Sequence, residues 1–275
     1  ILAISSLSCI RSKMWTPYDL IMISLSSSRI ILYSWTIMDL LMSIFCECSD
    51  YEKNNPAVIN IVYMFLDCSS LWLGAWLSVF YCIKVASFTQ SFFIWMKQRI
   101  ARLVPWMLLT SWLCSSAAAI PFAWDVYTGH DNFTAPLPMI NSSAMRTRRK
   151  YRSTSIILLC NAAISLPLIL SLVSSVLLIR SLWVHTRLMQ NNASGFRDPS
   201  LEAHTSAMKS VSSFLIFYII YFICWLLLFC RVFSLLGDGE SVCVVVMAAC
   251  PAGHTMVLIW SNPKFRELPA RIWHH

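Results

Sequence analysis

The sequence predicts an all-α bundle of membrane-crossing helices, about seven in the intact protein. The run from Val58 to Ile83 is almost wholly apolar and is closed by Lys84, then by the basic stretch Lys97-Gln98-Arg99. It exceeds the roughly 20 residues that a helix needs to cross a bilayer. Similar runs, parted by short polar or charged segments, recur along the chain. With 57% hydrophobic residues, 12% charged residues and a mean hydropathy of +0.64, 275 residues hold too few ionisable groups to cover a soluble globule.

Taken in order, the apolar runs place helices at about Pro17 to Phe45, Pro56 to Ile83, Leu103 to Trp124, Ser153 to Val184, Met208 to Leu235 and Ser241 to Ser261. Residues 1–10 read as the remnant of a first helix whose beginning is missing, because Ile1 is not a methionine and Ile1-Leu2-Ala3-Ile4 leads directly to Arg11 and Lys13. Residues 262–275 form a short tail, and residues 1–275 together form one domain.

Basic residues set the orientation, since cytoplasmic loops are enriched in Lys and Arg near helix ends. Thirteen of them, from Arg11 and Lys13 through Lys84, Lys97, Arg99, Arg102, Arg180, Arg187, Arg197 and Lys209 to Lys264, Arg266 and Arg271, fall on one side. This puts the C-terminus in the cytoplasm. The cluster Arg146 to Arg152 opposes the rule, yet its loop carries the sequons Asn132-Phe133-Thr134 and Asn141-Ser142-Ser143, which need a lumenal face to be glycosylated. The net charge of +8 is spread over short clusters instead of one polar face, which argues against a nucleic-acid partner. Most of the 11 cysteines lie inside apolar runs as small buried hydrophobes, and their spacing suggests neither a metal site nor a disulfide framework. No cofactor is called for.

Specific residues decide among the classes that share this topology. The segments Leu71-Trp72-Leu73-Gly74-Ala75-Trp76 through Phe80-Tyr81-Cys82-Ile83-Lys84 and Phe93-Ile94-Trp95-Met96-Lys97 resemble the third helix and second cytoplasmic loop of the type 2 (bitter) taste receptors, a family of G protein-coupled receptors. Ser181 to Gln190 and Arg197 to Lys209 are similar to its fifth-helix end and third cytoplasmic loop. His254-Thr255-Met256 through Trp260-Ser261-Asn262-Pro263-Lys264-Phe265 resembles its seventh-helix end. With Pro17-Tyr18-Asp19 and Ser28-Arg29, the likeness covers nearly the whole chain in order. It implies a multi-pass plasma-membrane receptor that binds small organic bitter agonists among its helices and activates a gustducin-like heterotrimeric G protein.

Trp72 and Trp76 lie four apart on one helix face, and Tyr221 lies in the outer part of the sixth helix. Their spacing fits core packing as well as an aromatic ligand pocket. The resemblance favours ligand contact for Trp72 and Tyr221. Counting back from Pro251, a position that is acidic in some relatives is Val244 here, which points to neutral or hydrophobic agonists. Arg29 is an intramembrane cation and is expected to face the bundle interior, either as a structural tie or as a switch that changes partner. Pro263 after Asn262 reads equally as a hinge and as simple helix termination. The resemblance adds coupling or switch roles for Tyr81, Lys84, His204, Lys209 and His254.

The loop Asp125 to Arg152 contains no cysteine, so the usual disulfide to the third helix of rhodopsin-like receptors cannot form. A vomeronasal type 1-like chemosensory receptor is the nearest alternative. A transporter is more distant, because Arg29, Asp39 and Asp67 do not recur at a fixed spacing. Six scattered histidines and the absence of a His-Glu-x-x-His motif argue against an enzyme.

Overall fold

In the computed structural model, residues 1–2, 5–6, 15–45, 56–85, 91–134, 159, 161–181, 183–184, 199–230, 232 and 238–261 are described. Among them the chain is helical, with no strand. The helices are α1 (Pro17–Phe45), α2 (Pro56–Val85), α3 (Ser91–Gln98), α4 (Ile100–Thr134), α5 (Asn161–Ser181), α6 (Pro199–Phe229) and α7 (Asp238–Ser261). All but α3 contain a segment long and apolar enough to cross a membrane.

Local chemistry explains several helix ends. Thr16 Oγ1 accepts a hydrogen bond from the Asp19 backbone N–H at 3.2 Å and donates one to Asp19 Oδ2 at 2.6 Å, so a capping pair opens α1 with Pro17 in its first turn. Asp238 and Glu240 supply negative charge to the first turn of α7. Pro199 opens α6 nine residues before the apolar run, so part of the segment read from sequence as a loop is helical. The helix α4 continues past Trp124 to Thr134 and includes Asn132 in its backbone. Its 35 residues span about 50 Å, well beyond a hydrocarbon core of about 30 Å. The separate helix α3 lies where sequence suggested only a connecting loop.

Burial follows the pattern of a protein in lipid. Large apolar side chains are exposed on five of the six candidate spans, including Ile30, Trp106, Ile169, Ile216 and Met256. Serines are buried instead: Ser69, Ser70, Ser78, Ser111, Ser115, Ser171 and Ser175. Several repay their burial by donating to a carbonyl one turn earlier, as Ser78 does to Gly74 and Ser115 to Ser111. The span of α2 is the most enclosed, 89% buried against 22–39% for the others.

Contacts divide the chain into two compact units. One comprises residues 1–26, 73–108 and 167–275; its core gathers Ile21, Met22 and Leu25 of α1 with Leu73, Leu77, Phe80 and Ile83 of α2, Val104 and Met107 of α4, and Leu258 of α7. Ile1 packs against this core. Within the same unit α6 and α7 lie side by side. Their buried stripes, Val211, Phe214, Tyr218 and Tyr221 on α6 and Cys243, Met247, Cys250, His254 and Leu258 on α7, step by three and four residues as facing helices require. The other unit comprises residues 27–72 and 109–166, where Ser28 and Arg29 of α1 meet Leu66, Ser69 and Ser70 of α2.

Candidate functional site

Two groups of side chains in the larger unit stand out, one at the end of α2 and one along α6. At the end of α2, Tyr81 donates its hydroxyl to Tyr18 of α1 at 3.3 Å. The two rings lie 6.1 Å apart, and Phe80 stands 6.2 Å from Tyr18. One turn beyond Tyr81, the exposed Lys84 ammonium sits 5.7 Å over the Phe80 ring. Tyr81 and Val85 also pack with Leu178 of α5 and with Met208 and Val211 of α6. The ends of α1, α2 and α5 and the interior of α6 therefore converge on Tyr81. Exposed Arg180 lies at the end of α5, and exposed Lys209 lies beside Met208 within α6.

Along α6 runs an aromatic ridge. Phe214 and Tyr218 are 5.4 Å apart, and Tyr218 meets Tyr221 edge-on at 6.2 Å. Phe214 also stacks against the buried His254 of α7 at 4.9 Å. Two glycines make room for it. A Cβ at Gly74 of α2 would collide with the Phe214 ring, and one at Gly253 of α7 would stand 2.7 Å from the Phe217 ring. Removing both side chains lets three helices approach closely enough for the rings to interlock, the use of small residues expected where lipid supplies no hydrophobic drive.

The residues singled out from sequence are distributed as follows. Tyr221 is buried at one end of the ridge, and His254 is buried beside Phe214. Trp76 packs partly buried against the core of the same unit. Tyr81 is the convergence point just described, and Lys84 and Lys209 are exposed near it. Trp72, in the smaller unit, is buried. There too Arg29 is buried within α1 and donates from Nε to Ser70 Oγ of α2 at 3.3 Å, while Ser28 Oγ and Ser69 Oγ lie 3.4 Å apart. Val244 is 52% exposed, one residue off the buried stripe that begins at Cys243. The side chains of His204 and Asn132, and all of Asn141, Asn262 and Pro263, lie outside the described residues.

Sequence reading quoted Tyr18 and Gly74 within family-like segments but gave no role to them, nor to Phe214, Tyr218 and Gly253. The three-and-four spacing of Phe214, Tyr218 and Tyr221 was the available signal, diluted because the intervening residues of α6 are equally apolar. No cluster of His, Cys, Asp or Glu among the described residues could hold a metal ion.

Buried serines, a buried arginine tied across two helices and glycine-seated aromatic packing describe a polytopic membrane protein whose apolar core is laced with polar ties. The family model described as Taste receptor protein (TAS2R) matches residues 1–275, the whole chain. The chain belongs to the type 2 taste receptor family. It is 58% identical over 275 residues to taste receptor type 2 member 40 of Gallus gallus, covering all of this chain and 88% of that protein. It is 33% identical over 274 residues to taste receptor type 2 member 39 of Papio hamadryas, covering all of this chain and 81% of the relative. With taste receptor type 2 member 2 of Homo sapiens it shares 33% over 266 residues, 96% of this chain and 86% of the relative. This taste receptor is thus a multi-pass membrane protein of a receptor family, not an enzyme.

Proposed function

We propose that this chain is a bitter taste receptor of the plasma membrane, with its C-terminus in the cytoplasm, that binds small organic agonists among its helices and activates a gustducin-like heterotrimeric G protein. The observation that carries this reading is the end-to-end match to the type 2 taste receptor family. The mechanism we propose runs along α6. Trp72, Trp76 and Tyr221 are the proposed agonist contacts, aromatic surfaces suited to varied, mostly neutral organic molecules.

Tyr221 is joined ring to ring through Tyr218 to Phe214, and Phe214 in turn is seated on Gly74 and against His254. A ring ridge in glycine seats moves in discrete steps, because interlocked packing does not deform continuously. Pressure on Tyr221 therefore favours a different seating of α6. Ten to thirteen residues earlier in α6, Met208 and Val211 pack around Tyr81, so a shifted α6 loosens the convergence of helices there. The exposed Lys84 and Lys209, with His204, Asn262 and Pro263, are the proposed coupling elements. Arg29, bonded to Ser70, acts as a tie whose partner changes between states. An agonist moves this equilibrium only by the difference in its affinity for the two states. Asn141 and Asn132 are the proposed glycan acceptors.

The test is nucleotide exchange on a purified gustducin-type heterotrimer by the full-length receptor in lipid nanodiscs, measured against a panel of bitter compounds. Compound-dependent acceleration of exchange is expected. A folded receptor that leaves the exchange rate unchanged across the panel contradicts the reading.

A further inference from the structure

The segment from the end of α2 to the start of α4 is the most basic part of the described chain, and it lacks any internal counter-charge. Lys84, Lys97, Arg99 and Arg102 are all exposed. None forms an ion pair with a described residue. No Asp or Glu occurs between Asp67 and Asp125. The compensating negative charge must therefore come from outside this segment.

Two of the four cations are set among tryptophans. The Arg99 guanidinium lies 5.1 Å from the ring centroid of Trp95, itself 44% exposed, and Arg99 joins α3 to α4 through its backbone: its N–H donates to the Trp95 carbonyl, and its carbonyl accepts from Arg102 and Leu103. Stacking on a ring occupies one face of a guanidinium and leaves its N–H fork free at the edge. Arg102 stands one turn before Trp106. In this first part of α4, Ala101, Arg102, Pro105 and Trp106 are exposed, whereas Val104 and Met107 are buried. Arg102 and Trp106 thus share the outward flank.

Trp106 is 66% exposed and lies near the start of the candidate span Ile100–Ile120, so in a membrane it faces lipid. Arg102 is four residues nearer the start of that span, about 6 Å along the helix axis, and so lies closer to the headgroups than Trp106 does. A protein docked against the underside of the bundle would not reach a flank that continues a lipid-facing surface. A lipid would. Tryptophan at the interface beside arginine nearer the headgroups is the arrangement that holds a charged headgroup, since the guanidinium fork matches phosphate oxygens in pairs.

We propose that Trp95, Arg99, Arg102 and Trp106 form a binding site for an anionic phospholipid, with Arg99 and Arg102 on the headgroup phosphate and the tryptophans bracketing the glycerol region. The site anchors the α3–α4 junction to the leaflet. It rests on the topological reading above only in placing that leaflet on the cytoplasmic side, where anionic lipid is concentrated.

The test uses the full-length receptor in nanodiscs of equal parts phosphatidylserine and phosphatidylcholine, released into native mass spectrometry to read the retained lipid. Wild type is expected to retain phosphatidylserine in preference. Arg99→Gln or Arg102→Gln alone is expected to lower that preference about five-fold, and the double variant about thirty-fold, which corresponds to roughly 1 kcal/mol per charge. The pair R99K/R102K, which keeps charge but not the fork, is expected to fall between. All these side chains are exposed, so an unchanged melting temperature is expected and separates lost lipid from lost fold. Equal retention of the two lipids by wild type, or undiminished preference in R99Q/R102Q, would overturn the proposal. Both disc leaflets present phosphatidylserine, so a reversed orientation would leave retention intact and appear only as antibody access to the C-terminus on intact cells.

Discussion

Gly74 has no room for a methyl group, because the ring of Phe214 occupies the place of its Cβ. Gly74→Ala is therefore expected to destabilise the receptor by about 1–3 kcal/mol through overpacking, read as a lower melting temperature and less receptor at the surface. Trimming the ring in the double variant Gly74→Ala/Phe214→Leu should recover part of the loss; no recovery would mean that the two positions do not meet. A second residue-scale expectation concerns the Tyr18–Tyr81 hydrogen bond. Tyr18→Phe and Tyr81→Phe should each lower stability by about 1 kcal/mol, and the double variant by less than the sum, because either single change already removes the shared bond. Additive losses in thermal melts would contradict it. At this scale the sequence was only partly legible. In a soluble helix the apolar stripe marks the inner face, but here Ile219 and Ile220 are as apolar as Tyr218 and Tyr221 while facing outward. Hydropathy therefore leaves helix rotation open.

Each helix presents its own test of how local chemistry sets its limits. Apolar run length locates a membrane exit, not a helix end, and for this reason α4 and α6 extend beyond their apolar stretches into Asp125 to Thr134 and back to Pro199. Neither extension contains a strong breaker after its first residue apart from Gly129, so the hydrogen-bond ladder continues into polar sequence. The extension of α6 has a consequence for coupling. Proline at position 203 should break it at a cost of about 3 kcal/mol in helix propensity. Ala203→Pro is accordingly expected to cut G protein activation severely while leaving surface expression and agonist binding near wild type; full activation would show that helical order there is irrelevant. Between α1 and α2 the tie is polar. Loss of the Arg29 bond to Ser70 should cost roughly 1–3 kcal/mol, so Arg29→Ala is expected to reduce surface-expressed receptor well below the level of Ser70→Ala. Equal amounts of the two variants at the surface would argue that Arg29 makes no tie beyond that one bond.

For the molecule as a whole, the bilayer made the fold class readable. A fixed hydrocarbon thickness forces apolar runs of about 20 residues, and backbone groups in lipid must be satisfied within a helix, so run length alone gives all-α architecture. Lipid also inverts the ordinary inside-out pattern, leaving Trp106 and Met256 exposed while Ser111 and Ser171 are buried. The family was legible through resemblance of the helix-end segments, whereas the ridge through Phe214 and Tyr218 emerged only once helix rotation was known. The most direct measurement is calcium release in cells that express the full-length receptor with a promiscuous G protein subunit, comparing wild type with Trp72→Ala and Tyr221→Ala at matched surface expression. A dose-dependent wild-type response to a bitter compound that disappears in both variants is expected. An agonist response retained at wild-type potency in both would contradict the placement of the ligand at these aromatic side chains.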